Sequence, residues 1–88
     1  MVWTVEYDVR AVKELSKLSR QVRTEIVDYM TSRIASAENP RGFGKALRHN
    51  KFGLWRYRVR DYRIVCELQD KRLVVLAVGV GHRREVYE

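Results

Sequence analysis

The stretch that decides the fold is LWRYRVRDYRIV, residues 54–65. In its first half, apolar or aromatic residues alternate with basic ones, and a period of two is typical of a β-strand that packs one face against a core. The packed positions are Trp55, Tyr57 and Val59. The basic positions are Arg56, Arg58 and Arg60. Side chains two residues apart along a strand are about 7 Å apart, so the pattern predicts a row of three guanidinium groups on one sheet face.

Two further strands are predicted after this one. A tight turn at residues 60–61 leads into residues 62–68, which alternate again and predict an antiparallel partner in a hairpin. In that strand, Arg63 joins the arginine row. Residues 73–80 read LVVLAVGV and are apolar at nearly every position, which is typical of a central strand buried on both faces. We expect the chain to leave this strand at Gly81.

The N-terminal half is predicted to be mainly helical. A short strand pattern at residues 2–7 precedes residues 9–37, where apolar residues recur at spacings of three and four. Asp8 and Ser19 are residue types that cap helices, so we predict two helices broken near Ser19 instead of one long rod. The basic, glycine-containing segment 41–53 is predicted to be a surface loop.

These elements predict an α+β fold in which two N-terminal helices pack on a small antiparallel β-sheet, in the order β-α-α-β-β-β. The chain has 88 residues, too few for two cores, so we assign 1–88 to a single domain. Its one cysteine, Cys66, excludes an internal disulfide and favours a reducing compartment, so we expect the cytoplasm. No stretch approaches the roughly 18 apolar residues of a membrane span, so we expect no membrane association.

The positive charge is concentrated in the second half of the chain. Residues 1–44 hold seven Lys/Arg against six Asp/Glu, whereas residues 45–88 hold eleven against five. Of the formal net charge of +7, +6 therefore lies in the second half. Such a field attracts phosphates or an acidic protein, because neutralising a line of negative charge releases its counterions.

The residue types favour chemistry without a metal or cofactor. The carboxylates of the second half are scattered, and His49 and His82 are far apart, so no metal-ligand spacing is present. Cys66 falls on the packed side of its strand, where we expect a buried structural thiol. What remains is a site of Arg, His and Tyr. Guanidinium groups bind phosphate and stabilise the charge of a phosphorane, His and Tyr can move protons, and RNA supplies its own 2′-hydroxyl nucleophile.

Three segments together resemble a known family. They are LWRYRVRDYRIV at 54–65, VGHRREVY at 80–87, and the residues Asp8, Ala11, Lys13, Glu14, Leu15, Lys17 and Leu18. The set resembles the RelE/ParE superfamily of bacterial and archaeal toxins, and the RelE branch most closely. The resemblance implies a type II toxin-antitoxin toxin with a small α+β fold. It also implies a metal-independent endoribonuclease that cuts messenger RNA in the ribosomal A site through 2′-hydroxyl attack.

The resemblance implies roles for individual residues. Arg56 and Arg58 match a basic pair that holds phosphate and substrate. Arg63 would stabilise the transition state, and Arg83 would stabilise charge or the leaving group. Tyr87 matches a tyrosine that stacks on or positions the substrate.

His82 stands where lysine occurs in well-known members, and it is either a catalytic proton acceptor or a solvated residue at a strand end. Further basic residues are expected to bind RNA or the ribosome. They are Lys45, Arg48, His49, Lys51, Arg60 and Arg84.

The expected partners are a cognate acidic antitoxin of the RelB type, messenger RNA and the ribosome. We expect the free toxin to be monomeric and its complex with the antitoxin to be of higher order. Two alternatives stay open. One is a ParE-like toxin that inhibits DNA gyrase and cuts nothing, since fold does not determine function. The other is an arginine surface that only docks an acidic antitoxin segment.

Overall fold

The computed structural model of the chain describes residues 2–47 and 53–82. Within these ranges the α+β class predicted from the sequence is confirmed. In chain order the helices and strands are β1 (Thr4–Tyr7), α1 (Val9–Ser16), α2 (Arg20–Tyr29), β2 (Lys45–Ala46), β3 (Trp55–Val59), β4 (Tyr62–Gln69) and β5 (Val74–His82). Neither helix in these ranges has the length and apolar character needed to cross a membrane.

Both helices begin at the residues predicted to cap them. The Asp8 carboxylate accepts a hydrogen bond from the backbone N–H of Ala11 at 2.8 Å, and the Ser19 hydroxyl accepts one from Val22 at 3.2 Å. Each bond satisfies a backbone donor that a helix N-terminus leaves without an intrahelical acceptor. The α-helix ends at Tyr29, where α2 passes into a π-helical turn at Met30–Ile34 that the apolar spacing does not distinguish from α-helix. The helical region therefore ends at Ile34, earlier than the predicted residue 37.

The five strands form one sheet in the order β1-β5-β4-β3-β2. The pairs β3–β4 and β4–β5 are antiparallel, as predicted, and β2 is antiparallel to β3, whereas β1 runs parallel to β5. The sheet is therefore mixed and not purely antiparallel. The difference arises because β1 pairs with the last strand of the sequence, and no hairpin turn between the two fixes their relative direction.

Two local predictions are wrong. Strand β5 does not end at Gly81 but continues through His82, because both residues still pair with β4. The segment 41–53, predicted as a loop, contains the end of a 3₁₀ turn at Pro40–Gly42 and the two-residue strand β2. A strand of two residues is too short to produce a recognisable period in the sequence.

Strand β5 also contains a register shift that determines on which face of the sheet its last side chains lie. Cys66 lies opposite Ala77, but the residue before Cys66 in β4 lies opposite Gly79, so Val78 is an extra residue in β5. A β-bulge of this kind moves the following side chains to the other face relative to regular alternation.

Both helices pack on the same face of the sheet, and α1 lies over β5. The buried side chains from the helical region are Ala11, Leu15, Ile26, Met30 and Ile34. Those from β3, β4 and β5 include Tyr57, Ile64, Cys66, Val75, Ala77 and Val80. Burying a large apolar side chain contributes about 1.5–3 kcal/mol, so this layer stabilises the described part of the chain. The residues that alternate with these along β3 and β4 face the other side of the sheet.

Candidate functional site

Within residues 2–47 and 53–82, four basic side chains lie on the sheet face opposite the helices. Arg58 of β3 is directly opposite Arg63 of β4, and Arg56 is directly opposite Lys45 of β2. Directly opposite residues point to the same face, with Cβ atoms about 4.5–5.5 Å apart. We call the surface formed by these four residues the arginine face. The prediction that Arg63 joins Arg56 and Arg58 is confirmed by the register.

The arginine face concentrates like charge at close range. Like charges directly opposite each other on paired strands are destabilising, so the pairing of Arg58 with Arg63 opposes folding. The Arg58 side chain is 60% exposed and Lys45 is exposed, whereas Arg56 and Arg63 are partly buried. An anion bound between the strands would offset this repulsion, and phosphate suits guanidinium groups because it accepts two bonds from each.

The hairpin turn between β3 and β4 holds the Arg58 guanidinium. Its Nε donates a hydrogen bond to the Arg60 carbonyl at 2.9 Å, and its Nη2 lies 3.6 Å from the Asp61 carboxylate. These contacts use part of the donor fork of Arg58 and leave the remaining N–H groups for a ligand. The turn therefore restricts where this guanidinium can lie on the arginine face.

Arg60 does not belong to the predicted row, and that part of the prediction is wrong. Its φ is 56°, and its guanidinium bonds both carboxylate oxygens of Glu25 on α2, at 2.5 and 2.7 Å. A left-handed residue interrupts the strand alternation, so the side chain turns to the helical side. Its charge is already paired with a carboxylate, and Arg60 is therefore not part of the arginine face.

The structure does not bring His82 to the arginine face. His82 is directly opposite Tyr62, and the two rings meet edge to face with centroids 5.8 Å apart. Since Tyr62 precedes Arg63 in the strand, its side chain lies on the helical face. The bulge at Val78 causes this placement, because regular alternation from Ala77 would put His82 on the same face as Arg63.

Two aromatic residues of β3 position the segment before it. The Tyr57 hydroxyl donates to the Pro40 carbonyl at 2.9 Å, and the Trp55 indole N–H donates to the Phe43 carbonyl at 2.6 Å. These bonds hold residues 40–43 against β3 and so align β2, which carries Lys45. Sequence reasoning identified both aromatics as core residues but missed this positioning role. The available signal is that a buried Tyr or Trp needs an acceptor for its polar atom.

Neither Tyr57 nor Cys66 is available for proton transfer or nucleophilic attack. Burial raises the pKa of the Tyr57 hydroxyl well above its usual value, and the thiol of Cys66 raises it further. Burial also raises the pKa of the Cys66 thiol, which is fully buried. A thiol that stays protonated is a poor nucleophile. The prediction of a buried structural cysteine is confirmed.

Several predicted site residues lie outside the described residues. They are Arg48, His49, Lys51, Arg83, Arg84 and Tyr87. Across residues 2–47 and 53–82, no group of three or more His, Cys, Asp or Glu side chains is placed to hold a metal ion. The arginine face itself offers only hydrogen-bond donors from its four basic side chains, which suit an anion and not a cation.

Comparison with known proteins finds similarity along almost the whole chain. Residues 5–87 match the family described as the ParE toxin of type II toxin-antitoxin system, parDE. Toxin RelG of Mycobacterium tuberculosis is 26% identical over 87 residues, which are 99% of this chain and 98% of that protein.

Solved structures of toxins of this kind have a fold similar to that of this chain. A chain of the toxin-antitoxin complex RelBE2 of Mycobacterium tuberculosis superposes with a TM-score of 0.83 and 25% identity, covering 97% of this chain and 95% of that chain. The isolated RelE toxin of E. coli superposes with a TM-score of 0.70 and 27% identity, covering 91% and 83% respectively. The family match includes the strands that carry Arg56, Arg58 and Arg63.

Proposed function

This chain belongs to the ParE toxin family of type II toxin-antitoxin systems and is a RelE-like toxin, and from this premise we propose that it is a metal-independent endoribonuclease. Its proposed substrate is messenger RNA in the ribosomal A site, in the cytoplasm. The observation that supports this activity is the pairing of Arg58 with Arg63 beside Arg56 on one sheet face. Two guanidinium groups from neighbouring strands can contact one phosphate from two sides.

In the proposed reaction, the RNA 2′-oxygen forms a bond to the adjacent phosphorus while the bond to the 5′-oxygen breaks. The products are a 2′,3′-cyclic phosphate and a 5′-hydroxyl. The protein must hold the phosphate in line and stabilise the extra negative charge of the phosphorane. We assign phosphate binding to Arg56 and Arg58, and transition-state stabilisation to Arg63. Arg83 and Tyr87 keep the roles that the resemblance implies. Arg83 would stabilise charge or the leaving group, and Tyr87 would stack on or position the substrate.

Proton transfer is assigned from the same geometry. A guanidinium keeps its proton up to a pKa above about 12, so Arg56 and Arg58 are not proton acceptors. His82 lies on the other face of the sheet beside Tyr62. Cations that contact the phosphate favour the anionic form of the neighbouring 2′-hydroxyl. We therefore propose that the 2′-hydroxyl proton passes to water, that the leaving 5′-oxygen takes a proton from water, and that His82 takes no part in either transfer.

A second candidate function is inhibition of DNA gyrase without RNA cleavage. The description of the matched family as ParE toxins favours it. The same fold serves both functions, so only the site distinguishes them. The arginine face favours the ribonuclease, because three arginines on two paired strands would hold the phosphate that RNA cleavage requires.

The proposed partner is an acidic antitoxin that covers the arginine face, and the complex is proposed to be of higher order than the free toxin. The RelBE2 chain that resembles this one is part of a toxin-antitoxin complex. An acidic segment on the arginine face would offset the repulsion between Arg58 and Arg63. The same segment would also prevent RNA from binding there.

The test is primer extension on a translated message with wild-type protein, Arg63→Ala and Arg72→Ala. Arg72 is a matched control, because it is an exposed arginine in the turn between β4 and β5 whose guanidinium bonds Gln69. We expect cleavage by wild type and Arg72→Ala, and strongly reduced cleavage by Arg63→Ala. A parallel assay measures DNA supercoiling by gyrase. Inhibition of gyrase with an intact message would replace the proposed function by the second candidate.

A further inference from the structure

The turn between β3 and β4 connects the arginine face to the helical layer. Arg60 donates from Nε and Nη2 to the two oxygens of Glu25, at 2.5 and 2.7 Å. A two-bond contact between guanidinium and carboxylate fixes the relative orientation of both groups. Glu25 is on α2, 35 residues earlier in the chain, so the contact ties a helix to the tip of the hairpin.

Arginine is locally an unfavourable residue at this position. The φ of Arg60 is 56°, and the left-handed region costs a residue other than glycine roughly 1–2 kcal/mol. The Arg60 and Glu25 side chains are 53% and 34% exposed, and a surface ion pair contributes about 0–1 kcal/mol. The pair therefore does not clearly offset the backbone cost. Stability alone does not explain why this turn holds an arginine where glycine is the ordinary choice.

The same turn orients the Arg58 guanidinium. Its Nε donates to the carbonyl of Arg60 at 2.9 Å, so the direction of that carbonyl sets the plane of the donor fork. Arg58 is in turn directly opposite Arg63. A rotation of the turn would therefore move the Arg58 donors away from a phosphate shared with Arg63.

We propose that Glu25 is a positioning residue for Arg58. By fixing Arg60, Glu25 holds the turn whose carbonyl directs the Arg58 guanidinium towards an anion on the arginine face. Glu25 touches no substrate itself. The inference rests on the proposed phosphate-binding function of this face, and it adds a residue of the helical layer to the requirements of the site.

The test uses Glu25→Ala, Arg60→Gly and a matched control, Asp70→Ala. The control breaks the ion pair of Asp70 with Arg41, which has the same two-bond geometry at 2.8 and 3.0 Å and is also exposed. Arg60→Gly removes the tie to α2 while relieving the left-handed strain of the turn. The readouts are the ¹H–¹⁵N resonance of Arg58 Nε, the affinity for inorganic phosphate, and the urea midpoint of unfolding.

We expect Glu25→Ala and Arg60→Gly to shift or broaden the Arg58 Nε resonance and to weaken phosphate binding by roughly 3- to 10-fold. Asp70→Ala should leave both unchanged at a similar urea midpoint. Wild-type phosphate affinity and an unchanged Arg58 resonance in Glu25→Ala would overturn the inference. The same loss in Asp70→Ala would also overturn it, because the effect would then be one of general stability. Should the wild type cut no RNA while Glu25→Ala still disturbs Arg58, the proposed function fails and the positioning role stands.

Discussion

Replacing Arg58 by glutamine tests whether the arginine face contributes mainly to binding phosphate or to the stability of the fold. The variant loses an exposed bond to the Arg60 carbonyl, worth about 0.5–1.5 kcal/mol, and an exposed pair with Asp61, worth about 0–1 kcal/mol. It also loses the repulsion from Arg63, which is worth about 0.2–1 kcal/mol in the opposite direction. We therefore expect the free energy of unfolding to fall by no more than about 2.3 kcal/mol.

We also expect Arg58→Gln to lower RNA cleavage, because the variant loses a charged contact to the phosphate. A hydrogen bond to a charged group contributes about 1.5–3 kcal/mol, which corresponds to roughly a 10- to 150-fold loss of kcat/KM. The assay combines urea unfolding with cleavage of a message on stalled ribosomes, using Arg72→Gln as the control arginine. Unfolding destabilised by more than about 3 kcal/mol would make Arg58 a structural residue and refute the reasoning. Cleavage at the wild-type rate would remove Arg58 from the site.

Three further predictions address the site and its support. Arg63→Ala should lower the single-turnover cleavage rate roughly 100-fold and leave ribosome affinity little changed. Lys45→Ala should instead weaken ribosome binding and its salt dependence, with little effect on the cleavage rate of bound ribosomes. Equal effects of one variant on both measurements would contradict this division of roles. Gly44→Ala should lower the free energy of unfolding by roughly 2–4 kcal/mol in urea titrations, because Gly44 has a φ of 71° and an added Cβ would meet a backbone oxygen of β3. Burial raises the pKa of the Cys66 thiol and, with Cys66, raises the pKa of Tyr7 to about 12. The folded chain therefore holds these protons more tightly than the unfolded chain does. Urea midpoints of unfolding should be constant near neutrality and should fall as the pH rises above about 9. The fall should be less steep in Cys66→Ala.

Local chemistry made part of the fold predictable. Asp8 and Ser19 cap the two helices. Both caps could be predicted, because Asp and Ser before an apolar helical pattern are typical N-cap residues. The pairing of Arg58 with Arg63 followed from alternation and from a tight turn between them. In both cases the interacting residues are close in sequence, so local patterns contain the necessary information.

The features that sequence reasoning missed depend on distant or aperiodic contacts. Arg60 leaves the row because its φ of 56° in the turn interrupts the alternation, and its guanidinium then bonds a carboxylate 35 residues away, a partner that no local pattern reveals. His82 faces the helices because of the extra residue Val78 in a strand that is apolar at almost every position, so no alternation shows the bulge. The parallel direction of β1 is likewise set by a partner at the other end of the chain.

The chemistry of the cleaved ends tests the central claim most directly. A translated message is incubated with the toxin, and the ends of the fragments are identified by their reactivity towards a 5′-kinase and towards a ligase that requires a 2′,3′-cyclic phosphate. Attack by the RNA 2′-hydroxyl on a phosphate held by Arg58 and Arg63 predicts a 5′-hydroxyl on one fragment and a 2′,3′-cyclic phosphate on the other. Fragments with a 5′-phosphate and a free 3′-hydroxyl would show that water attacked the phosphorus, and they would contradict the account.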